Sequence, residues 1–242
     1  MHNIKSGMIS VLLSLLLAAN AQALIVNPPM AIDRVVTVQM IQTGDGTNLA
    51  TMFGDAMQQA AILGFIDEIW AQAGIDVNFL GPTTYIDSFA YEGTPGMMNP
   101  RPSADLGAIQ SNGISDGVSN TDPLVLDMYF VNIVPFSPLL SENSVNGLAF
   151  RPGKTSAISV GMNLLHFNRG REIVASVVAH EIGHNLGLPH LSELENLLCG
   201  SGAPCPPDGF GGTLEGERLN ADQITIARSS PFAVVMPVPA AL

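Results

Sequence analysis

The chain has 242 residues, 47% of them hydrophobic and 12% charged. That balance excludes disorder, which needs few apolar residues and many charges, and the length fits one domain or two small ones. Nine basic residues against 21 acidic give a net charge of −12. Nucleic acid and anionic lipid are thereby argued against as partners, because both require basic patches. No repeat or Gly-X-Y period is present, so collagen-like and solenoid folds fall away.

Residues 1–23 read as a signal peptide. Lys5 supplies the basic start, Met8 to Ala19 form an apolar run, and Ala21-Gln22-Ala23 forms an A-x-A cleavage site. The run is shorter than the roughly 20 residues of a bilayer span, so no stable membrane insertion is expected after cleavage. The expected location of the product is secreted or periplasmic. Cleavage would remove one base and no acid, leaving the chain more acidic still. Cys199 and Cys205 are the two cysteines. In an exported chain they predict a small-loop disulfide.

Residues 24–33 are a short lead-in. Val35 to Ile41 is β-branched and reads as a strand. Met57, Ala60, Leu63, Ile66, Ile69, Trp70 and Ala73 recur at helical spacing, and Gly74 ends that helix. Ile75 to Leu80 predicts a second strand. Residues 81–122 are rich in turn formers and predict a long loop region, with room for a short helix or hairpin within it. Asp105, Asp116 and Asp122 within it could take calcium but match no EF-hand pattern, so solvated carboxylates are expected there. Leu124 to Val134 predicts a central strand, Gly147 to Phe150 a short extended piece, and Thr155 to Val160 another strand. Arg171 to Leu186 predicts a helix with Ile173, Val174, Val177, Val178, Ile182 and Leu186 on its apolar face. Asn220 is placed to cap a last helix ending near Arg228. The order implies one α/β domain with a mixed sheet over 34–230 and an extended tail over 231–242.

The chemistry is concentrated in His180-Glu-Ile-Gly-His-Asn-Leu-Gly-Leu-Pro-His190. His180 and His184, four apart on a helix, project from one face about one turn apart. Gly187 can end the helix in a left-handed conformation and let the chain return His190 as a third ligand. Three neutral imidazoles leave a fourth zinc position for water, the pattern of a catalytic site. Glu181 lies beside the first ligand and is the candidate general base. With this chain's residue frequencies, a chance match to the full His-Glu-x-x-His-x-x-Gly-x-x-His pattern is roughly one in 10⁵, which weighs against three unrelated core histidines. His166, ahead of this helix, is read as a surface or packing residue, with a role around the metal or substrate as the alternative.

On His180, Glu181, His184, Gly187 and His190 the sequence resembles the metzincin zinc endopeptidases, with wording closest to the reprolysin-like branch and a later spacing more like the matrixin branch. The resemblance implies a metzincin-like zincin fold. Its parts would be a twisted mixed sheet of about five strands, a backing helix, an active-site helix and a C-terminal helix. It implies one catalytic Zn²⁺ held by His180, His184 and His190. It further implies a peptide or protein substrate bound antiparallel to an edge strand near Gly147 to Phe150. The family places a methionine in a turn beneath the metal; Leu198 stands there instead. Leu191 follows the third histidine where the reprolysin-like branch tends to have Asp, and no tyrosine follows Leu198.

The resulting expectation is a secreted, monomeric zinc endopeptidase that hydrolyses peptide bonds through a metal-activated water, with Glu181 as general base. The rival readings are a non-catalytic zinc-binding or adhesion domain, suggested by Leu198, and a zinc hydrolase of non-peptide amides. The stretch from Val234 to Leu242 also resembles the opening of PEP-CTERM sorting signals, without their apolar helix and basic tail; truncation and accident are both open.

Overall fold

In a computed structural model the described residues are 26–93, 102–132, 147–158, 170–193, 195–199 and 217–237. The signal-peptide region, His166 and Cys205 lie outside them, and with Cys205 the expected disulfide. The elements in chain order are β1 (Arg34–Gly44), α1 (Ala56–Ala71), β2 (Ile75–Ile86), α2 (Ser88–Glu92), α3 (Pro102–Ser115), β3 (Val125–Phe130), β4 (Gly147–Ala149), β5 (Thr155–Ile158), α4 (Gly170–Asn185), α5 (Ala221–Ser229) and β6 (Val234–Val235). The sheet order is β2-β1-β3-β5-β4. β1, β2, β3 and β5 are parallel, and β4 runs antiparallel on β5 at the edge. The expected central strand is central, and the expected short extended piece is the edge strand. A sixth strand, β6, pairs antiparallel with Arg34 and Val35 of β1. The expected tail thus opens with a turn, in which Phe232 and Ala233 are buried, before its two strand residues dock on β1.

The period-2 pleat divides the core in two. Val36, Val38, Met40, Leu126, Met128 and Phe130 face one side, where Ile62, Ile66, Ile69 and Trp70 of α1 meet Val174, Val178 and Ile182 of α4. Ile41, Tyr129 and Val131 face the other, where they meet Tyr85 and the Leu106 and Ile109 of α3. β3 is buried along its whole length for this reason. Trp70 is a core residue, as the helical stripe predicts. That stripe starts later than predicted: Met57 is 77% exposed, and the first buried positions of α1 are Ile62 and Ile66. Asp55 caps α1 through a capping box with Gln58. Gly74 has φ +65°, and a Cβ there would lie 2.6 Å from the Ala31 carbonyl oxygen, so the helix stop requires glycine.

The region read as a long loop is mostly ordered structure. β2 continues to Ile86, α2 follows, and α3 is a 14-residue helix. Its sequence hides this, because only Leu106 and Ile109 are large buried apolar residues. Gly113 takes the next core-facing place, where a Cβ would lie 2.0 Å from the Tyr129 hydroxyl. Asp105 sits buried in the first turn of α3, not in a solvated loop. Asp116 accepts the Tyr85 hydroxyl at 2.7 Å, and Asp122 accepts the Leu124 N–H at 2.8 Å. No described helix is long and apolar enough to cross a membrane.

Candidate metal centre

α4 carries His180, Glu181 and His184 and ends as the spacing predicts. Gly187 has φ +104°. Its N–H donates to His184 O at 2.9 Å, and the Leu188 N–H donates to Gly183 O at 2.9 Å. This pair of bonds is the Schellman arrangement. It turns the chain back and brings His190 over the helix.

The three histidine Nε2 atoms converge. The separations are 3.1 Å for His180–His184, 3.2 Å for His180–His190 and 3.0 Å for His184–His190. Among the described residues they are the one group of metal-ligating side chains with donor atoms all within 4.8 Å of one another. Asp105, Asp116 and Asp122 form no such group.

The other ring nitrogens are committed. His180 Nδ1 lies 2.7 Å from Leu197 O, and His184 Nδ1 lies 2.8 Å from Leu188 O. A carbonyl only accepts, so each Nδ1 carries the proton and each Nε2 presents a bare lone pair. Lone pairs at about 3 Å repel unless a cation lies between them. Tetrahedral zinc with bonds of 2.0–2.1 Å separates its nitrogens by about 3.3 Å, so the residues fit a zinc ion. Protonation of the rings is also opposed. Burial pulls His180 down to about 3 and His184 to about 4, helped respectively by its neighbouring histidines and by His190 and Arg151. His190 is lowered by desolvation and by the Arg151 guanidinium.

Glu181 is 5% exposed. Burial pushes its carboxyl up to about 8, and Oε2 meets no donor among the described residues. The carboxylate is packed beneath β4: a Cβ on Gly147 would lie 2.6 Å from Glu181 Cγ and 2.7 Å from Oε1. The edge strand expected to receive substrate therefore lies directly against the expected base.

The floor of the site is the turn 196–199. Cys199 N–H donates to Asn196 O at 3.0 Å, and Leu198 N–H to Asn196 Oδ1 at 2.9 Å. Asn196 is itself held by a two-way amide pair with Gln223 of α5, at 2.8 and 3.0 Å. Leu198 is fully buried, and a Cβ on Gly183 would lie 3.1 Å from its Cδ2. The leucine thus occupies the position beneath the ligands that the resemblance gives to methionine, while the Leu197 carbonyl orients His180.

Sequence reasoning missed three contributors. Asn185 donates from Nδ2 to Phe150 O at 3.3 Å and Thr155 O at 3.0 Å, clamping the β4–β5 hairpin to the helix. Arg151 lies in that hairpin, close enough for its charge to act on His184 and His190. Gly147 gives Glu181 its space. The spacing of Glu181 and Asn185 was the available signal: four residues apart, they share a helix face adjacent to that of His180 and His184.

The model of the reprolysin-like metallopeptidase family M12B matches residues 126–191. No curated protein matches the chain. The archaemetzincin of Methanopyrus kandleri is 18% identical over 80% of this chain and 93% of its own, with a TM-score of 0.51. The archaemetzincin of Archaeoglobus fulgidus is 15% identical over 79% and 99%, with a TM-score of 0.47. A zinc-dependent peptidase from Methanocorpusculum labreanum is 13% identical over 78% and 99%, with a TM-score of 0.49. The family match and the fold support a zinc-dependent peptidase, with the triad positioned to bind one zinc ion. The chain has a metzincin-like zinc-peptidase fold whose histidine-bearing segment matches the reprolysin-like metallopeptidases.

Proposed function

We propose that this chain is an exported zinc-dependent endopeptidase, with His180, His184 and His190 as the metal ligands and Glu181 as the general base. The observation that carries the reading is the convergence of three histidine Nε2 atoms, two of them from the helix that also buries Glu181 against an edge strand. Bound zinc would supply Lewis acidity toward a carbonyl oxygen and toward water.

The remaining work belongs to the chain. β4 pairs with β5 alone among the described strands, so its outer edge can take an extended peptide by strand addition. Strand addition captures neither end of the peptide, which supports internal cleavage. Glu181 would accept a proton from the attacking water at its carboxylate as the oxygen bonds to the peptide carbon. The C–N bond then breaks, and Glu181 returns that proton to the departing amine. Burial that raises its proton affinity toward neutral pH suits both steps. Export is supported by residues 1–23 alone; a disulfide between Cys199 and Cys205, expected from the sequence, would agree with it.

A peptide-library digest with and without chelator tests the reading. Internal cleavage abolished by chelator and restored by zinc is expected. Glu181→Gln should keep one zinc per chain and lose hydrolysis. A zinc-loaded chain that cleaves no peptide, or a fully active Glu181→Gln variant, would remove the proposal and leave a non-catalytic zinc domain or a hydrolase of other amides.

A further inference from the structure

We infer that Gly147 is a positioning residue: its missing side chain is the slot that fixes the Glu181 carboxylate. The strand placed to seat the peptide thereby also sets the direction of the base. The kinetic part of this inference rests on the function proposed above; the steric part does not.

The glycine has no backbone explanation. Gly147 is absent from the positive-φ glycines, which include Gly46, Gly74 and Gly187. As the first residue of β4 it lies in strand backbone, where L residues are ordinary. What excludes a side chain is Glu181, whose Cγ, Oε1 and Cδ would lie 2.6, 2.7 and 2.9 Å from an added Cβ. The closest of these atoms is near the root of the side chain, so a small swing of the carboxylate does not relieve the overlap.

Neither partner can retreat easily. Glu181 is buried on α4, between ligands His180 and His184 in sequence. β4 is held from behind by β5, through Gly147↔Ile158, Leu148↔Ala157 and Ala149↔Ser156. Leu148 and Phe150 pack into the cluster on the opposite face. Asn185, one turn beyond Glu181 on the same helix face, ties the hairpin down through the Phe150 and Thr155 carbonyls. The overlap of an added methyl must therefore be resolved by moving Glu181.

Two measurements on the full chain test this. The first is a thermal-stability cycle in chelator. Gly147→Ala should lower Tm in the native background and lower it by less than half as much in a Glu181→Ala background, where the obstructing atoms are gone. Equal losses in both backgrounds would overturn the inference. Should Gly147→Ala alone fail to fold, a folded Gly147→Ala/Glu181→Ala double variant supports the steric claim, and failure of both to fold defeats it. The second measurement is kinetic, on the zinc-loaded protein. Gly147→Ala should keep one zinc, hold KM within about twofold and lose about tenfold or more in kcat, since a displacement near 1 Å at a reacting group has costs of that order. An unchanged kcat overturns the inference. If the native chain cleaves nothing, the proposed function fails, while the stability cycle still decides whether Gly147 positions Glu181.

Discussion

The side-chain amide of Asn185 lies 3.0 Å from the carbonyl oxygen of Thr155 and donates to it, with both groups buried. This one side chain joins the end of the helix that carries His180 and His184 to the first residue of β5. The Gly153 N–H returns a bond to the Asn185 carbonyl at 3.3 Å.

Asn185→Ala should destabilise the chain by about 1–3 kcal/mol, the loss of two hydrogen bonds at about 0.5–1.5 kcal/mol each, while the Thr155 carbonyl keeps the Phe150 N–H at 3.2 Å. Asn185→Asp should be worse at neutral pH, because a carboxylate would face two carbonyl oxygens with no proton to offer. Urea unfolding of the three proteins at pH 7.5 orders them. An aspartate variant as stable as the native chain would contradict the assignment of Nδ2 as the donor.

Lys154 anchors the loop before β3. Its ammonium donates to the carbonyls of Asn120 and of Asp122, and it lies 3.5 Å from Asp127 Oδ2. Asp127 is 1% exposed, and burial raises its carboxyl above the ordinary value while Lys154 opposes this. Lys154→Met should cost about 3 kcal/mol at pH 7, since it strands a buried charge. Without the cation the folded-state value rises further. The penalty is then present above that value and shrinks as the pH falls and Asp127 takes up a proton. Denaturation at pH 7.5 and pH 5 should show the difference between variant and native chain narrowing with acid.

Leu198 fills the space beneath Gly183. Leu198→Met conserves volume and should change stability by under about 1.5 kcal/mol, with zinc retained. Leu198→Ala should cost about 2–5 kcal/mol by opening a cavity, and should weaken zinc binding by loosening the Leu197 carbonyl that orients His180. Denaturant unfolding and competitive zinc titration measure the two effects. Unaltered zinc affinity in the alanine variant would show that the turn does not orient the ring.

In chelator, His180 and His184 titrate at about 3 and about 4 in the folded chain, against about 6.5 when unfolded. Folded values below unfolded ones mean that their stability contribution is complete above pH 6.5 and is lost as the pH falls toward 4. Tm of the metal-free protein should therefore drop between pH 7 and pH 4.5. Replacing His180 and His184 together with Gln should flatten that part of the profile. A double variant with the native acid dependence would assign the loss to other groups.

Local patterning determined a great deal here. The helix stop at Gly74, the cap at Asn220 and the turn at Gly187 follow from single-residue conformational preferences. The spacing 180, 184 and 190 placed three imidazoles together because helical pitch and a left-handed glycine act over a few residues. Long-range steric fit decided the rest. Helix α3 was invisible because small residues stand where its core contacts lie, and Gly113 is explained only by the Tyr129 hydroxyl above it. Gly147 reads only as the start of a short extended piece until Glu181, 34 positions later, is found against it. The Asn185 clamp likewise required knowing which carbonyls the edge hairpin presents. Contacts between distant segments depend on packing that no local period encodes, and they set the surroundings of the Glu181 carboxylate and the position of the edge strand.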